Sequence, residues 1–184
     1  MKTKAVIGII GPIGSGKDTV ANCVAHRLQV PVYQISQPLK EIARNRGIEP
    51  TRENLTELGT TVATEEGEVF LARVLLDQID KIGVISGMRQ LQQIAYLRQN
   101  ANLVLIAVNA DPTIRFERVR LRHKPGEAKT LEEFIKKELD ENSGHHVQRL
   151  FECLKLADYH IENNFDLDSL YCKVDDILSE TGLT

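Results

Sequence analysis

Nine residues near the start of the chain, Gly11 to Thr19, have the types and spacing that bind phosphate. Their sequence is GPIGSGKDT, and they follow an apolar stretch, Ala5 to Ile10, that is typical of a buried parallel strand. With a helical pattern directly after them, they form the P-loop arrangement GxxxxGK. Its glycines let backbone N–H groups converge on an anion, and the helix N-terminus adds its positive dipole end. The motif predicts a nucleoside triphosphate site. The alternative, a glycine turn that only caps the helix, is disfavoured by this spacing in this position.

The lysine of the motif would reach the outer phosphates, so Lys17 is the first candidate catalytic residue. Many P-loops have a Ser or Thr hydroxyl on Mg²⁺ at the next position, where this chain has Asp18. Asp18 could hold Mg²⁺ through a water, or it could simply stabilise the helix start, and both interpretations stay open. The predicted ATP contacts in this segment are Gly11, Ile13, Gly14, Ser15, Gly16, Lys17, Asp18 and Thr19.

Three arginines lie at i, i+3 and i+7 of a helix that Asp111 opens as N-cap and Pro112 as first helical residue. They share one face, which leads into the polar stretch 123–130, HKPGEAKT, a predicted mobile loop. Such a stripe is often only a solvated basic surface. In a protein that must neutralise several phosphate charges, it instead indicates arginine forks around a transferred phosphoryl group. The predicted roles are catalysis for Arg118 and Arg122, ATP contact for Arg115, for which both interpretations balance, and surface exposure for Arg120.

Further candidates lie where predicted strands end, because parallel sheets bind ligands at the carboxyl ends of their strands. Arg89 follows the third strand, in SGMRQ, and could grip a phosphate of the phosphoryl acceptor; alternatively it caps the next helix at the surface. Ser36 and Lys40 lie at the end of the second strand and the start of a helix, although Lys40 could equally be a solvated helix lysine. The predicted substrate-binding residues are therefore Ser36, Lys40 and Arg89.

The scaffold for these residues follows from apolar, β-rich runs that alternate with helical patterns, as in a parallel sheet covered on both faces. We predict an α/β P-loop NTPase fold with a five-stranded parallel β-sheet and helices on both faces. The predicted strands are 5–10, 30–35, 82–86, 102–108 and 158–162. The predicted helices are 18–28, one opened by Pro38, 51–80, one opened by Asp111-Pro112, and 131–142. The chain 1–184 is predicted as a single kinase domain with an acceptor-binding excursion at about 37–80 and a lid at about 115–145.

Composition narrows the class of protein. The 184 residues are 42% hydrophobic, which suits one domain with a core, and a net charge of -3 gives no electrostatic case for nucleic-acid binding. The three cysteines lack CxxC spacing and indicate thiols in a reducing cytosol, and no ligand set surrounds His145-His146. No segment approaches the roughly twenty apolar residues of a membrane span. We expect a cytoplasmic enzyme with a small-molecule nucleotide substrate, no nucleic acid and no membrane partner; its oligomeric state is left open.

Several segments resemble known kinases. GKDTVA, ISQPLKEIA, TRENLTELGT and SGMR are similar to segments of the deoxynucleoside monophosphate kinases and their adenylate-kinase-like relatives. The later stretches ADPTIRFERVRLR and LADYHIENN also resemble dephospho-CoA kinases and archaeal P-loop kinases. The resemblance covers most of the chain and is most specific at the P-loop and at LADYHIEN. It implies a five-stranded P-loop core with ATP and Mg²⁺, and it does not fix the acceptor.

The resemblance also implies roles for particular residues. In the related kinases an Asn after the fifth strand lies beside the adenine, and Asn163 matches that position, so it joins the ATP contacts. The segment that contains Arg52 belongs to the acceptor-binding excursion of those kinases. They usually carry an acidic residue where this chain has Ser86, which makes Asp18 the candidate metal ligand.

The acceptor class follows from a missing residue. Kinases that phosphorylate a hydroxyl, such as dephospho-CoA kinases, use a carboxylate near the end of the second strand, where this chain has Ser36-Gln37. A phosphate acceptor needs no such base, since its second pKa of about 6 leaves it largely dianionic at pH 7. The sequence therefore predicts transfer of the γ-phosphoryl group of ATP to a nucleoside or deoxynucleoside monophosphate. A dephospho-CoA kinase or other small-metabolite kinase, and a non-catalytic nucleotide-binding regulatory module, remain the alternatives.

Overall fold

A single parallel sheet organises the protein, whose computed structural model describes residues 4–122, 128–142 and 149–183. The strands are β1 (Ala5–Ile10), β2 (Val32–Gln34), β3 (Ile82–Ser86), β4 (Asn102–Asn109) and β5 (Tyr159–Glu162). They lie in the order β2-β3-β1-β4-β5, and all neighbouring pairs are parallel. The predicted five-stranded parallel α/β fold is confirmed.

Helices fill the connections between the strands. In the described ranges they are α1 (Lys17–Leu28), α2 (Ser36–Asn45), α3 (Arg52–Glu66), α4 (Phe70–Gln78), α5 (Leu91–Asn100), α6 (Pro112–Arg120), α7 (Leu131–Glu141), α8 (Leu150–Leu154) and α9 (Leu167–Thr181). The helix predicted at 51–80 is two helices, because Gly67 ends α3 with a φ of 91° that other residues rarely adopt. α2 begins at Ser36, two residues before the predicted Pro38.

The core lies on both faces of the sheet, so each central strand is apolar on both sides. On β1, Val6 and Ile10 face the cluster that α2 to α5 and α8 cover. Ile7 and Ile9 face the other cluster, which α1 and α9 cover. Because a shift by one residue would exchange the two faces, this alternation fixes the register of β1 against its neighbours. The turn that follows Ile10 therefore lies at the carboxyl edge of the sheet.

A third, smaller cluster joins α6 to α7. Phe116 of α6 and Phe134 of α7 pack with ring centroids 5.8 Å apart, beside Val119 and Ala128. The predicted N-cap of α6 is confirmed, since the Asp111 carboxylate accepts a hydrogen bond from the Thr113 N–H at 2.9 Å. Residues 123–127 of the predicted mobile loop, and His145 and His146, lie outside the described residues, so those interpretations stay predictions.

None of the helices in the described ranges has the length and apolar content that crossing a lipid bilayer requires.

Candidate functional site

The turn between β1 and α1 has the close-packed backbone of a phosphate-binding loop. Gly14 and Gly16 have φ of 77° and 93°, and Gly16 is the N-cap of α1. A Cβ at Gly11 would lie 2.2 Å from the Val108 carbonyl oxygen, and one at Gly14 would lie 2.5 Å from that of Arg115. No side chain caps α1, so N–H groups of its first turn, which includes Lys17, Asp18 and Thr19, can face an anion.

Asn163, just after β5, braces this loop. Its side-chain amide donates to the Ser15 carbonyl at 2.8 Å, and its backbone N–H donates to the Asn109 carbonyl at 2.8 Å. A Cβ at Gly16 would lie 2.3 Å from the same amide nitrogen. Asn163 is therefore a positioning residue for the loop, a role that the sequence did not predict, while its position beside the adenine stays a prediction.

Arg118 ties the same two segments together from α6. Its guanidinium donates to the Asn163 carbonyl at 3.0 Å and to the Gly14 carbonyl at 3.4 Å. Burial lowers the pKa of Arg118, and the positive charge of Arg122 lowers it further. The side chain thus holds the P-loop in place, in addition to the catalytic role predicted for it.

Arg115 has a different environment from the other two arginines of the stripe. Only 4% exposed, it makes a bidentate ion pair with Glu138 of α7 at 2.7 and 2.9 Å and donates to the Ala110 carbonyl. Its guanidinium also lies 5.5 Å from the centre of the Phe134 ring. These contacts fasten α7 to α6 and direct the guanidinium at protein groups. The ATP contact of Arg115 stays a prediction.

A cleft of about 550 Å³ opens beside the P-loop. Its walls come from the loop itself, α2, α3, the segment after β3, α6 and the start of the α7 region. It brings together seven of the residues that the sequence singled out: Ile13, Lys17, Ser36, Lys40, Arg52, Arg89 and Arg122. The residues predicted for the two substrates thus meet in one cavity.

Positive charge dominates the inner end of this cleft. Burial lowers the pKa of Lys17, and the nearby charges of Arg89 and Arg122 lower it as well. The Asp18 carboxylate, 3.5 Å from the Lys17 amine and half exposed, opposes these effects. Several cations held this close favour binding of a polyanion between them.

Arg89 also belongs to an ion-paired cluster with Arg52 and Glu141. Glu141, the last residue of α7, lies between two arginines that line the cavity. Its oxygens lie 2.5 and 2.9 Å from nitrogens of Arg52 and 3.2 Å from Arg89. Burial lowers the pKa of Arg89, and the charge of Glu141 opposes that shift. No local pattern indicates Glu141, which is 89 residues from Arg52 and 52 from Arg89.

The cleft also contains polar residues that the sequence analysis missed. Glu49 and Glu53 line it, and the Glu53 carboxylate lies 3.6 Å from the Lys137 amine of α7. Buried Gln93 donates to the Gln90 side-chain oxygen at 3.1 Å. The spacing of Gln93, one helical turn after Arg89, is the one signal that could have indicated it. The absence of a carboxylate at the end of β2 therefore does not make the cleft free of carboxylates.

Two buried hydroxyl groups are candidate donors for Mg²⁺ or for its waters. The side-chain oxygens of Ser15 and Ser86 are buried and have no hydrogen-bond partner among the described residues. Within the same residues no group of three His, Cys, Asp or Glu side chains could hold a metal. Mg²⁺ in such sites keeps several waters and binds chiefly to substrate phosphates and one or two carboxylates. Asp18, half exposed at the start of α1, is such a carboxylate; Ser15 lies in the P-loop and Ser86 ends β3 beside β1, so these donors are chemically suited to Mg²⁺.

The sheet order, the P-loop and the cleft beside it define a P-loop kinase fold. The chain aligns with a shikimate kinase from Bacteroides thetaiotaomicron at a TM-score of 0.60 and 15% identity, covering 98% of this chain and 99% of that one. A gluconokinase from Sinorhizobium meliloti 1021 aligns at a TM-score of 0.54 and 15% identity, over 98% and 93% of the two chains. At such identities the likeness shows the fold alone.

Sequence comparison gives the family. A family model described as an AAA domain matches residues 7–143. A UPF0200 protein from Hyperthermus butylicus is 34% identical over 180 residues, which cover 96% of this chain and 94% of that protein. The chain therefore belongs to this AAA-domain family and to the UPF0200 proteins. The resemblance to kinases is confirmed at the level of the P-loop kinase fold.

Proposed function

We propose that the chain is an ATP-dependent kinase that transfers the γ-phosphoryl group to a nucleoside or deoxynucleoside monophosphate. One observation carries the proposal: the cleft beside the P-loop is lined by Lys17, Arg122, Arg89 and Arg52. The cations suit two phosphates: Lys17 and Arg122 that of the donor, and Arg89 with Arg52 that of an acceptor bound next to it.

At the donor end, the P-loop backbone and the α1 N-terminus hold the phosphates of ATP, and Lys17 extends to the group being transferred. Arg122 lies beside it and neutralises charge on the equatorial oxygens. Asp18, through a water, and the hydroxyls of Ser15 and Ser86 would hold Mg²⁺, which neutralises charge on the outer phosphates. α7 covers the cleft and limits hydrolysis by water.

At the acceptor end, Arg89 and Arg52 bind the phosphate of the nucleoside monophosphate, and Ser36 and Lys40 line the same cavity. A phosphate that is already largely dianionic at neutral pH attacks without a protein base. The catalytic work of this end is then positioning, with no proton transfer to a side chain.

A hydroxyl acceptor is the second candidate, because Glu49 lies in the cleft and supplies a carboxylate for proton transfer. Glu53 is held by Lys137, so Glu49 is the stronger of the two candidate bases. In this candidate the two arginines would bind an anionic group of a metabolite remote from its reacting hydroxyl.

A coupled assay of ADP release separates these functions. The acceptors are a panel of nucleoside and deoxynucleoside monophosphates, dephospho-CoA and simple hydroxyl metabolites. We expect release with one or more monophosphates, and no increase when the monophosphate is replaced by its nucleoside. Release with dephospho-CoA or a hydroxyl metabolite alone, lost in Glu49→Gln, would establish the second candidate. ATP binding without release for any acceptor would indicate a regulatory module.

A further inference from the structure

α7 places a carboxylate, that of Glu141, against two arginines that line the cleft. Glu141 makes a bidentate contact with Arg52 and a third contact with Arg89. Both arginines are partly exposed to the cavity, with side-chain exposures of 27% each, and the Glu141 side chain is 14% exposed. A carboxylate gripped by two guanidinium groups has the geometry of a bound anionic ligand.

α7 carries a second ion pair, between Glu138 and Arg115, which is not available to a ligand in the cleft. The bidentate pair of Glu138 with Arg115 is buried, at 9% and 5% side-chain exposure, one turn before Glu141. It fastens the helix to α6, and its arginine, unlike Arg52 and Arg89, does not line the cleft. Glu141 is thus delivered to the arginines by a helix that is anchored elsewhere.

We propose that Glu141 is a built-in competitor for the acceptor's anionic group and so a specificity-determining residue. The inference rests on the proposed function and adds a condition for binding: an acceptor must displace Glu141 from Arg52 and Arg89. A tethered group competes at a high effective concentration, on the order of millimolar or above. A neutral metabolite cannot displace it, whereas a phosphate dianion with three oxygens replaces both arginine contacts.

Binding of inorganic phosphate, with the donor site saturated by Mg²⁺ and a non-hydrolysable ATP analogue, tests this competition by calorimetry. In Glu141→Gln the side chain keeps its size and loses its charge, so its hold on the two arginines weakens. We expect phosphate to bind roughly tenfold more tightly, because the site is no longer occupied for most of the time. The gain should disappear when Arg89→Ala is added, since the phosphate would then lack one of its two arginines.

Two matched variants distinguish the direct contact of Glu141 with the arginines from the general effect of a negative charge near the cleft. Glu53→Gln removes the same charge from the same cleft but leaves both arginines paired, so phosphate affinity should change less than about twofold. Glu141→Asp keeps the charge and shortens the reach, so it should give part of the gain. It also serves as the test if Glu141→Gln does not fold.

Unchanged or weaker phosphate binding in folded Glu141→Gln or Glu141→Asp would overturn the proposal, as would an equal gain in Glu53→Gln. Because the readout is phosphate binding, its outcome is independent of turnover. A panel of acceptors without ADP release would sink the proposed function and leave the competition at the arginines measurable.

Discussion

The two ends of the cleft are built in different ways. The donor end is one continuous loop whose neighbours touch it through backbone atoms: the Val108 and Arg115 carbonyls meet Gly11 and Gly14, and Asn163 binds the Ser15 carbonyl. The acceptor end is assembled from α3, α7 and the segment after β3, joined by charged side chains. The donor end is therefore formed before any ligand binds, whereas the acceptor end is held by charges that a ligand can replace.

The same contrast occurs within α7. Glu138 and Glu141 are one turn apart, but the first is buried with Arg115 and the second lies at the cleft with Arg52 and Arg89. A buried pair cannot lose one partner without leaving an uncompensated charge, while a partly exposed one can exchange partners with a ligand. The proposal thus gives α7 one contact for stability, at Glu138, and one for recognition, at Glu141.

Removing the central cation of the donor end should have the largest effect. In Lys17→Ala we expect kcat to fall roughly 1,000-fold or more, because charge developing on the transferred group loses its nearest cation. Thermal unfolding should be nearly unchanged, since the partners of Lys17 are Asp18 and the ligand rather than the core. Retained turnover in the folded variant would mean that the P-loop is not the donor site.

The buried ion pair of Glu138 with Arg115 should contribute to stability. Glu138→Gln should lower the free energy of unfolding by about 3–5 kcal/mol, because the Arg115 charge stays buried without a counter-ion. Denaturant titration measures it. Asp175→Asn, which breaks an exposed bidentate pair with Arg27, is the control and should change stability far less. Equal losses in both variants would show that the Glu138 pair does not anchor α7.

Alanine variants of Arg122, Arg118 and Arg120 test whether the environments of these arginines in and after α6 correspond to different roles. Arg122→Ala should lower kcat by about 30- to 1,000-fold, or 2–4 kcal/mol, with little change in ATP affinity. Arg118→Ala should weaken ATP binding as well, because Arg118 holds the Gly14 and Asn163 carbonyls.

Arg120, paired with Glu117 and 61% exposed, is the internal control and should be nearly silent on mutation. Arg118→Lys should not restore the full rate, since an ammonium cannot make both carbonyl contacts of the fork. Identical kinetics for all three alanine variants would make the stripe a surface feature.

A smaller and more selective effect is expected at the acceptor end. Arg89→Ala should raise the KM of the acceptor roughly 10- to 100-fold and the KM of ATP by much less, because one of two arginines for the acceptor phosphate is lost. Steady-state kinetics with each substrate varied in turn measures both. Equal increases in the two constants would place Arg89 in the donor site or in the framework.

Local patterns in the sequence were enough to predict the sheet and the donor end. A strand, its glycine turn and the next helix lie within thirty residues, and their spacing alone implies the geometry of the loop. The break at Gly67 did carry a local signal, since residues 64–68 are polar, TEEGE, and interrupt the apolar pattern between Val62 of α3 and Leu71 of α4. The partners of Arg115 and Arg52 escaped because α7 brings Glu138 and Glu141 from distant parts of the chain. Helical periodicity marks a polar face of α7 without saying which of its carboxylates meets an arginine.

The central claim is that phosphate is transferred to phosphate, and ³¹P NMR of the reaction products tests it most directly. The protein is incubated with Mg²⁺, ATP and the nucleoside monophosphate that gives the strongest ADP release. We expect the γ signal of ATP and the phosphomonoester signal of the acceptor to be lost together, as diphosphate α and β signals appear for two products, ADP and the new nucleoside diphosphate. A new phosphomonoester signal, or inorganic phosphate alone, would contradict it.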